Sequence, residues 1–336
     1  MRLYGTDPSF YTRKAWLSLT ALGLPFAYRL KTLANKAEVE AAVGGYHRFP
    51  VVDLGDGTWL VDSTRISLAL SARAPERSLV PDDPALAILA RIADDWFDEW
   101  FLRPAILFRA KSAATRAWVA RTGALNLLGR HHGEAPSKAE EEAIARLLPG
   151  IDRFFLESCA TNGVIGAGID ETEALLARAA DVLRDALAPF LFGSRLSLAD
   201  AALWGFLDSG LLWEPEARAW VEAHAPHLIG WHARALAAAR AGGGAWDALE
   251  VAAARLEPLL GGDALGFAPF LAANRAALAD GTKRVRVGAV EVPARGFTEK
   301  CRAEIAGEIA ALAPADRARL QAAAGDWPLL AVYLER

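Results

Sequence analysis

The chain has 336 residues, 53% hydrophobic and 23% charged, with a formal net charge of −4. That composition excludes a disordered chain, and the length predicts two or three folding units at about 100–200 residues each. The mild negative charge and the absence of Lys/Arg blocks argue against nucleic acid as a partner. No apolar run reaches the roughly 18 residues that a membrane-spanning helix needs, so no membrane partner is expected. The two cysteines, Cys159 and Cys301, cannot build a disulfide framework. Neither sits in a CxxC or His/Cys cluster, so no metal site is expected. Met1 to Gly5 shows no apolar signal core, and the expected location is cytoplasmic.

The first eighty or so positions alternate strand and helix signals. Arg2 to Gly5 reads as a strand. Ser9 precedes a helix from Phe10 to Leu22, with Ala15, Leu19 and Leu22 at helical spacing and Gly23 as the stop. Pro25 to Leu30 reads as a second strand, and Asn35 to Val43 as a polar helix. Phe49 to Leu54 is a third strand, turning through Gly55-Asp56-Gly57 into a return strand from Thr58 to Val61. Ser63 is read as the cap of a helix from Thr64 to Ser71. The predicted order is β-α-β-α-β-β-α.

A Pro- and Asp-rich stretch from Ala74 to Pro84 reads as a linker. From there to Arg240 nearly everything reads as helix. Leu86, Leu89, Ile92 and Ala93 mark an apolar face, continued by Trp96, Phe97, Trp100 and Phe101. Ser137 and Glu140 have capping-box spacing, and Ser197 and Asp200 repeat the pattern with Asp. Beyond the break at Gly242-Gly243-Gly244 come a helix ending near Leu260, a hairpin with Val285 and Val287 facing Val290 and Val292 across Gly288-Ala289, and further short helices.

Local motifs carry a resemblance. Ser9-Phe10-Tyr11-Thr12-Arg13-Lys14-Ala15 follows the first strand and opens the first helix. Phe49-Pro50-Val51-Val52 looks like a strand entered through a cis proline. Asp62-Ser63 opens a helix after the hairpin, and Gly193 to Asp200 is similar to a helical-domain capping motif. In this order and at these separations they resemble the glutathione transferase family, in the manner of its serine-type bacterial members, over residues 1–240.

The resemblance implies a thioredoxin-like α/β domain at 1–75 that binds glutathione and an all-α domain at 84–240. A mixed α/β extension at 255–336 is expected to dock on the helical domain. Glutathione would be the co-substrate. Ser9 would be the catalytic hydroxyl beside its thiolate, since a hydroxyl at a helix N-terminus favours the anion. Phe49 and Pro50 would grip the peptide backbone of glutathione, and Asp62 and Ser63 its γ-glutamyl end. Trp100, Arg103 and Phe108 would line the site for a small-molecule electrophile. Tyr4, Tyr11 and Thr12 are rival hydroxyls, Ser9 is also a plain helix cap, and the aromatic cluster also reads as core. The family departs here in carrying Phe10 after the serine and Phe49 before the proline.

The implied activity is conjugation of the glutathione thiolate to an electrophile, a detoxification role, in a chain that leaves room for a homodimer. Two alternatives stay open: a non-catalytic protein of this fold that binds ligands or other proteins, and a glutathione-dependent isomerase or lyase.

Overall fold

The computed structural model describes residues 1–335. Four short strands, β1 (Arg2–Gly5), β2 (Ala27–Leu30), β3 (Val51–Asp53) and β4 (Trp59–Val61), form one sheet in the order β2-β1-β3-β4. β1 and β2 are parallel, while β1–β3 and β3–β4 are antiparallel. A parallel pair needs a crossover, and α1 (Phe10–Ala21) supplies it. The antiparallel pair β3–β4 closes through the predicted Gly-Asp-Gly turn, where Gly55 and Gly57 have φ of 85° and 89°. α2 (Lys36–Ala42) and α3 (Ser63–Ser71) complete a thioredoxin-like domain.

The rest is mostly helical. In order come α4 (Pro84–Trp96), α5 (Leu102–Lys111), α6 (Ala113–Leu127), α7 (Lys138–Thr161), α8 (Ala167–Ala186), α9 (Leu198–Phe206), α10 (Pro215–His224) and α11 (Pro226–Ala241). They are followed by α12 (Leu249–Leu260), α13 (Phe267–Asp280), the hairpin β5 (Arg284–Val287) and β6 (Val290–Pro293), and then α14 (Gly296–Ala311), α15 (Pro314–Ala324) and α16 (Pro328–Leu334). Two π-helical turns, Phe97–Phe101 and Leu207–Leu211, interrupt the helical runs.

The chain divides into two compact units that are not continuous in sequence. One comprises residues 1–79, 108–159 and 201–242, and the other 80–107, 160–200 and 243–336. In the first unit, α1 packs on α3 and on α11. Leu3, Leu17, Val51, Val52 and Ile66 are fully buried there. Gly205 of α9 faces α1 so closely that a Cβ would stand 2.5 Å from Phe10 O and 2.8 Å from Lys14 N.

In the second unit, α4 packs against α12, α14 and α15, and α13 against α14 and α16. Its apolar face is as patterned: Leu86, Leu89, Ile92 and Ala93 are all buried. The Ser197–Asp200 cap forms as read, the Ser197 hydroxyl donating to Asp200 Oδ2 at 2.6 Å while Oδ1 accepts from the Leu191 N–H. In the first unit the Ser137–Glu140 box closes too, with Glu140 accepting from the Ser137 N–H at 2.7 Å.

Candidate functional site

Tyr4 of β1, Val51 of β3 and Val61 of β4 are paired across three adjacent strands. β1 runs out of the sheet just after this row, β3 runs in just before it, and β4 runs out just after it. The segments carrying Ser9, Phe49-Pro50 and Asp62-Ser63 therefore leave the sheet at one end. Residues separated by dozens of positions in the chain become neighbours through register alone.

Ser9 is the N-cap of α1, with extended backbone and its Oγ accepting the Thr12 N–H at 3.2 Å. A capping hydroxyl accepts with a lone pair and keeps its proton to donate elsewhere. The loop leading to it is held from two sides. Asn126 of α6 accepts from the Thr6 hydroxyl at 2.8 Å and from the Asp7 N–H at 2.6 Å. Arg109 donates to Pro8 O, and its guanidinium lies 4.6 Å over the Phe10 ring. Arg109 is itself fixed by Glu214 at 2.6 Å, a pair with both side chains buried. Burial pushes the Glu214 carboxyl up to about 7, against the pull of Arg109.

The rival hydroxyls fall differently. The Thr12 side chain is fully buried against Gly5 and its hydroxyl has no hydrogen-bond partner. Tyr4 is buried with its ring stacked on Trp59. Tyr11 is half-buried, edge-on to Phe206.

The Phe49–Pro50 peptide bond is cis, Pro50 is buried and Phe49 half-buried. Lys31, at the end of β2, holds the preceding loop: its ammonium donates to His47 O at 3.0 Å, pairs with Glu40 at 2.9 Å and lies 5.3 Å from the Phe49 ring centroid. The Lys31 ammonium keeps the Glu40 carboxyl below its ordinary range.

At α3 one expectation is corrected. The cap is Asp62, whose Oδ1 accepts the N–H groups of Thr64 and Arg65 at 3.0 and 3.2 Å, and Ser63 is the first helical residue. A carboxylate reaches those amides from one residue further back, which frees the Ser63 hydroxyl from that duty. Asp62 sits at φ 74°, uncommon for a residue with a side chain and a form of backbone strain that concentrates at functional sites. The Lys14 ammonium of α1 donates to the Thr64 hydroxyl at 2.7 Å, tying the first turn of α3 to α1.

Of the residues expected to line an electrophile site, Trp100 and Arg103 belong to the second unit and Phe108 to the first. All are buried. Trp100 packs on Phe267 and Phe270 and donates its indole N–H to Leu265 O at 3.0 Å. His131 and His132 are both exposed; His131 lies near Asp7, and the His132 ring packs against Trp118 and Trp213. Burial pushes the Cys159 thiol up to about 11, away from the thiolate. No cluster of metal-ligating side chains occurs among the described residues. No helix among them is long and apolar enough to cross a membrane.

Sequence reading missed Lys31, Asn126, Arg109 and Glu214. Glu214 lies 105 positions from Arg109, and no local spacing signals such a pair. A lone Glu immediately before Pro215 at a helix start was the only hint.

The sheet order, the crossover helix and the cis proline entering β3 define a thioredoxin-like domain. Residues 3–78 match the family described as "Glutathione S-transferase, N-terminal domain". Solved structures similar to the chain include the β-etherase LigF of Sphingobium sp. strain SYK-6 (22% identity, 71% of this chain and 97% of that chain, TM-score 0.48). Others are a glutathione S-transferase from Rhodospirillum rubrum F11 (20%, 69% and 86%, TM-score 0.42) and a glutathione transferase homologue from Sulfitobacter with bound glutathione (19%, 71% and 94%, TM-score 0.42). No curated protein matches the sequence.

Proposed function

We propose that this protein binds glutathione at the sheet end formed by Ser9, Phe49, Pro50, Asp62 and Ser63 and conjugates its thiolate to a small electrophile. The observation that carries the reading is the Tyr4–Val51–Val61 row, which gathers these segments at one place. Glutathione supplies the nucleophilic sulfur. The Ser9 hydroxyl donates a hydrogen bond to the thiolate, which the N-terminus of α1 also favours. The backbone of Phe49 pairs with the peptide as an added strand would. The Asp62 carboxylate faces the ammonium group of the γ-glutamyl end, and the Ser63 hydroxyl with the α3 amides takes its carboxylate. Arg109, Glu214 and Asn126 act as positioning residues for the Ser9 loop. The chain division into 1–75, 84–240 and 255–336, cytoplasmic location and a homodimer belong to the same proposal.

The test is thermal. Glutathione raises the melting temperature of the parent protein by mass action. Asp62→Asn combined with Ser63→Ala removes that rise while keeping an acceptor for the α3 cap. Ser9→Ala lowers turnover on a general electrophile by about 10–1,000-fold, the scale of losing one donor to an anion, and leaves glutathione affinity nearly unchanged. No thermal shift at millimolar glutathione overturns the reading in favour of a non-catalytic protein. Turnover that returns glutathione unconsumed would instead mark an isomerase or lyase.

A further inference from the structure

Ser9 stands between two residues that touch one guanidinium. Arg109 Nη2 donates to Pro8 O, and the Arg109 guanidinium lies 4.6 Å over the Phe10 ring and 5.0 Å from the Phe155 ring. Glu214 sets where that guanidinium lies, its Oε1 accepting from both Nε and Nη2 at 2.6 Å. Nη2 is therefore shared between the carboxylate and the Pro8 carbonyl. All of these residues belong to the first unit.

Little besides Arg109 supports the carboxylate. Glu214 is fully buried, and its second oxygen, Oε2, is buried without a hydrogen-bond partner. A buried carboxylate needs donors on both oxygens to stay ionised, and one dry oxygen undoes part of what the guanidinium returns. Burial accordingly raises Glu214 to about 7 against the pull of Arg109. Oε2, which bonds nothing, is the oxygen that takes the proton.

The charged groups on the surrounding elements are engaged elsewhere. The Cys159 thiol of α7 senses the Glu214 charge, and burial keeps that thiol protonated. α10 packs on α11 and on the π-helical turn Leu207–Leu211. There His232 and Asp208 bond each other at 2.9 Å, and Asp208 also pairs with Arg13. Glu216 of α10 accepts from the Ser112 hydroxyl, and Arg116 of α6 pairs with Asp152 at 2.7 Å. The other ionisable side chains of α10 and α11 are exposed or half-buried.

An ionised Glu214 keeps the Arg109 charge paired and its guanidinium seated on Pro8 and Phe10. A neutral Glu214 leaves a buried cation without a counter-charge, a costly state that draws the guanidinium off that seat. We propose that Glu214 is a proton-operated clamp on the Ser9 loop: ionised, it holds the Ser9 hydroxyl in place for the glutathione sulfur, and protonated, it loosens the loop. This regulation rests on the reading of Ser9 as the donor to the thiolate.

The test compares the full-length parent with Glu214→Gln, which is neutral at every pH. Turnover of glutathione with a general electrophile is followed from about pH 5.5 to about pH 8.5. The ratio of parent to variant cancels the ionisation of the glutathione thiol, which both profiles contain. That ratio is expected to rise about tenfold or more with a midpoint near 7, the scale of a small misplacement at a reacting group. A ratio that does not change with pH overturns the clamp. A second readout needs no glutathione. The Ser9 and Phe10 backbone N–H resonances of the ligand-free parent should titrate near 7, and Glu214→Gln should remove that step. No step in the parent overturns the clamp. So does a step that survives in the variant, which would belong to another group such as His131 beside Asp7. If no electrophile turns over at any pH, the glutathione reading fails and the resonances alone judge the clamp. Should Glu214→Gln not fold, the Glu214 carboxyl carbon and the Ser9 N–H of the parent must share one midpoint, and separate midpoints overturn it.

Discussion

α5 carries two buried arginines with opposite circumstances. Arg109 is 4% exposed and bonds Glu214 at 2.6 Å. Arg103 is 3% exposed, its Nε and Nη2 bond nothing, and Glu171 acts on it only through its charge. Arg109 belongs to the first unit, where its charge is settled within the fold and serves the loop before Ser9. Arg103 belongs to the second, where Arg295 repels it and Glu171 attracts it without pairing with it. Burial of a charge alone therefore says little about its role. The partner separates a charge that fixes a neighbouring loop from one that rests on a ring.

The largest expected effect strips the settled pair. Glu214→Ala leaves Arg109 buried and unpaired and should cost about 3–5 kcal/mol, the usual consequence of removing one partner of a buried ion pair. Urea unfolding measures it. A loss below about 1 kcal/mol would place this pair in the range of exposed ones and end the contrast.

A pH series sharpens the same point. Burial raises the Glu214 carboxyl from an ordinary 4.5 to about 7. Between those values the folded chain keeps a proton that the unfolded chain has released. Its unfolding free energy therefore falls as pH rises through that window. Glu214→Gln should flatten the slope between pH 4.5 and 7 relative to the parent, and an unchanged slope would assign it to other groups.

The smallest effect is expected at the other arginine. Arg103→Met removes a charge that no carboxylate pairs with among the described residues and keeps most of the stem packing. Stability should stay within about 1 kcal/mol of the parent or rise, since apolar replacement of buried charge is often neutral or favourable. A loss like that of Glu214→Ala would mean that Arg103 is settled by its aromatic contact alone.

How far the sequence foretold this depends on distance along the chain. Ser197 with Asp200, Ser137 with Glu140 and the β5–β6 hairpin were legible because their partners lie within one turn, where residue type dictates the bond. The sheet end was legible through the order of its motifs, with Asp62 displacing Ser63 as the cap of α3. The aromatic run from Trp96 to Phe101 announced burial but not its π-helical turn, which no residue type encodes. Arg109 with Glu214 and Arg103 with Arg295 are meetings between distant segments. Nothing local distinguishes those arginines from solvated ones.

Gly205 bears on how finely the Ser9 helix is set. With only a hydrogen at that position, α9 approaches the backbone of α1 at Phe10 and Lys14, and a methyl group would stand 2.5 Å from a carbonyl oxygen. The neighbour is main chain, so it has no rotamer to yield. Position 205 thus acts as a depth gauge for the helix that starts at Ser9. Any added carbon there pushes α1 along its seat and carries the Ser9 hydroxyl with it. Sequence drift at position 205 would be transmitted as a misplacement of the hydroxyl to which the proposed chemistry assigns the thiolate, and among the amino acids the gauge reads true for glycine only.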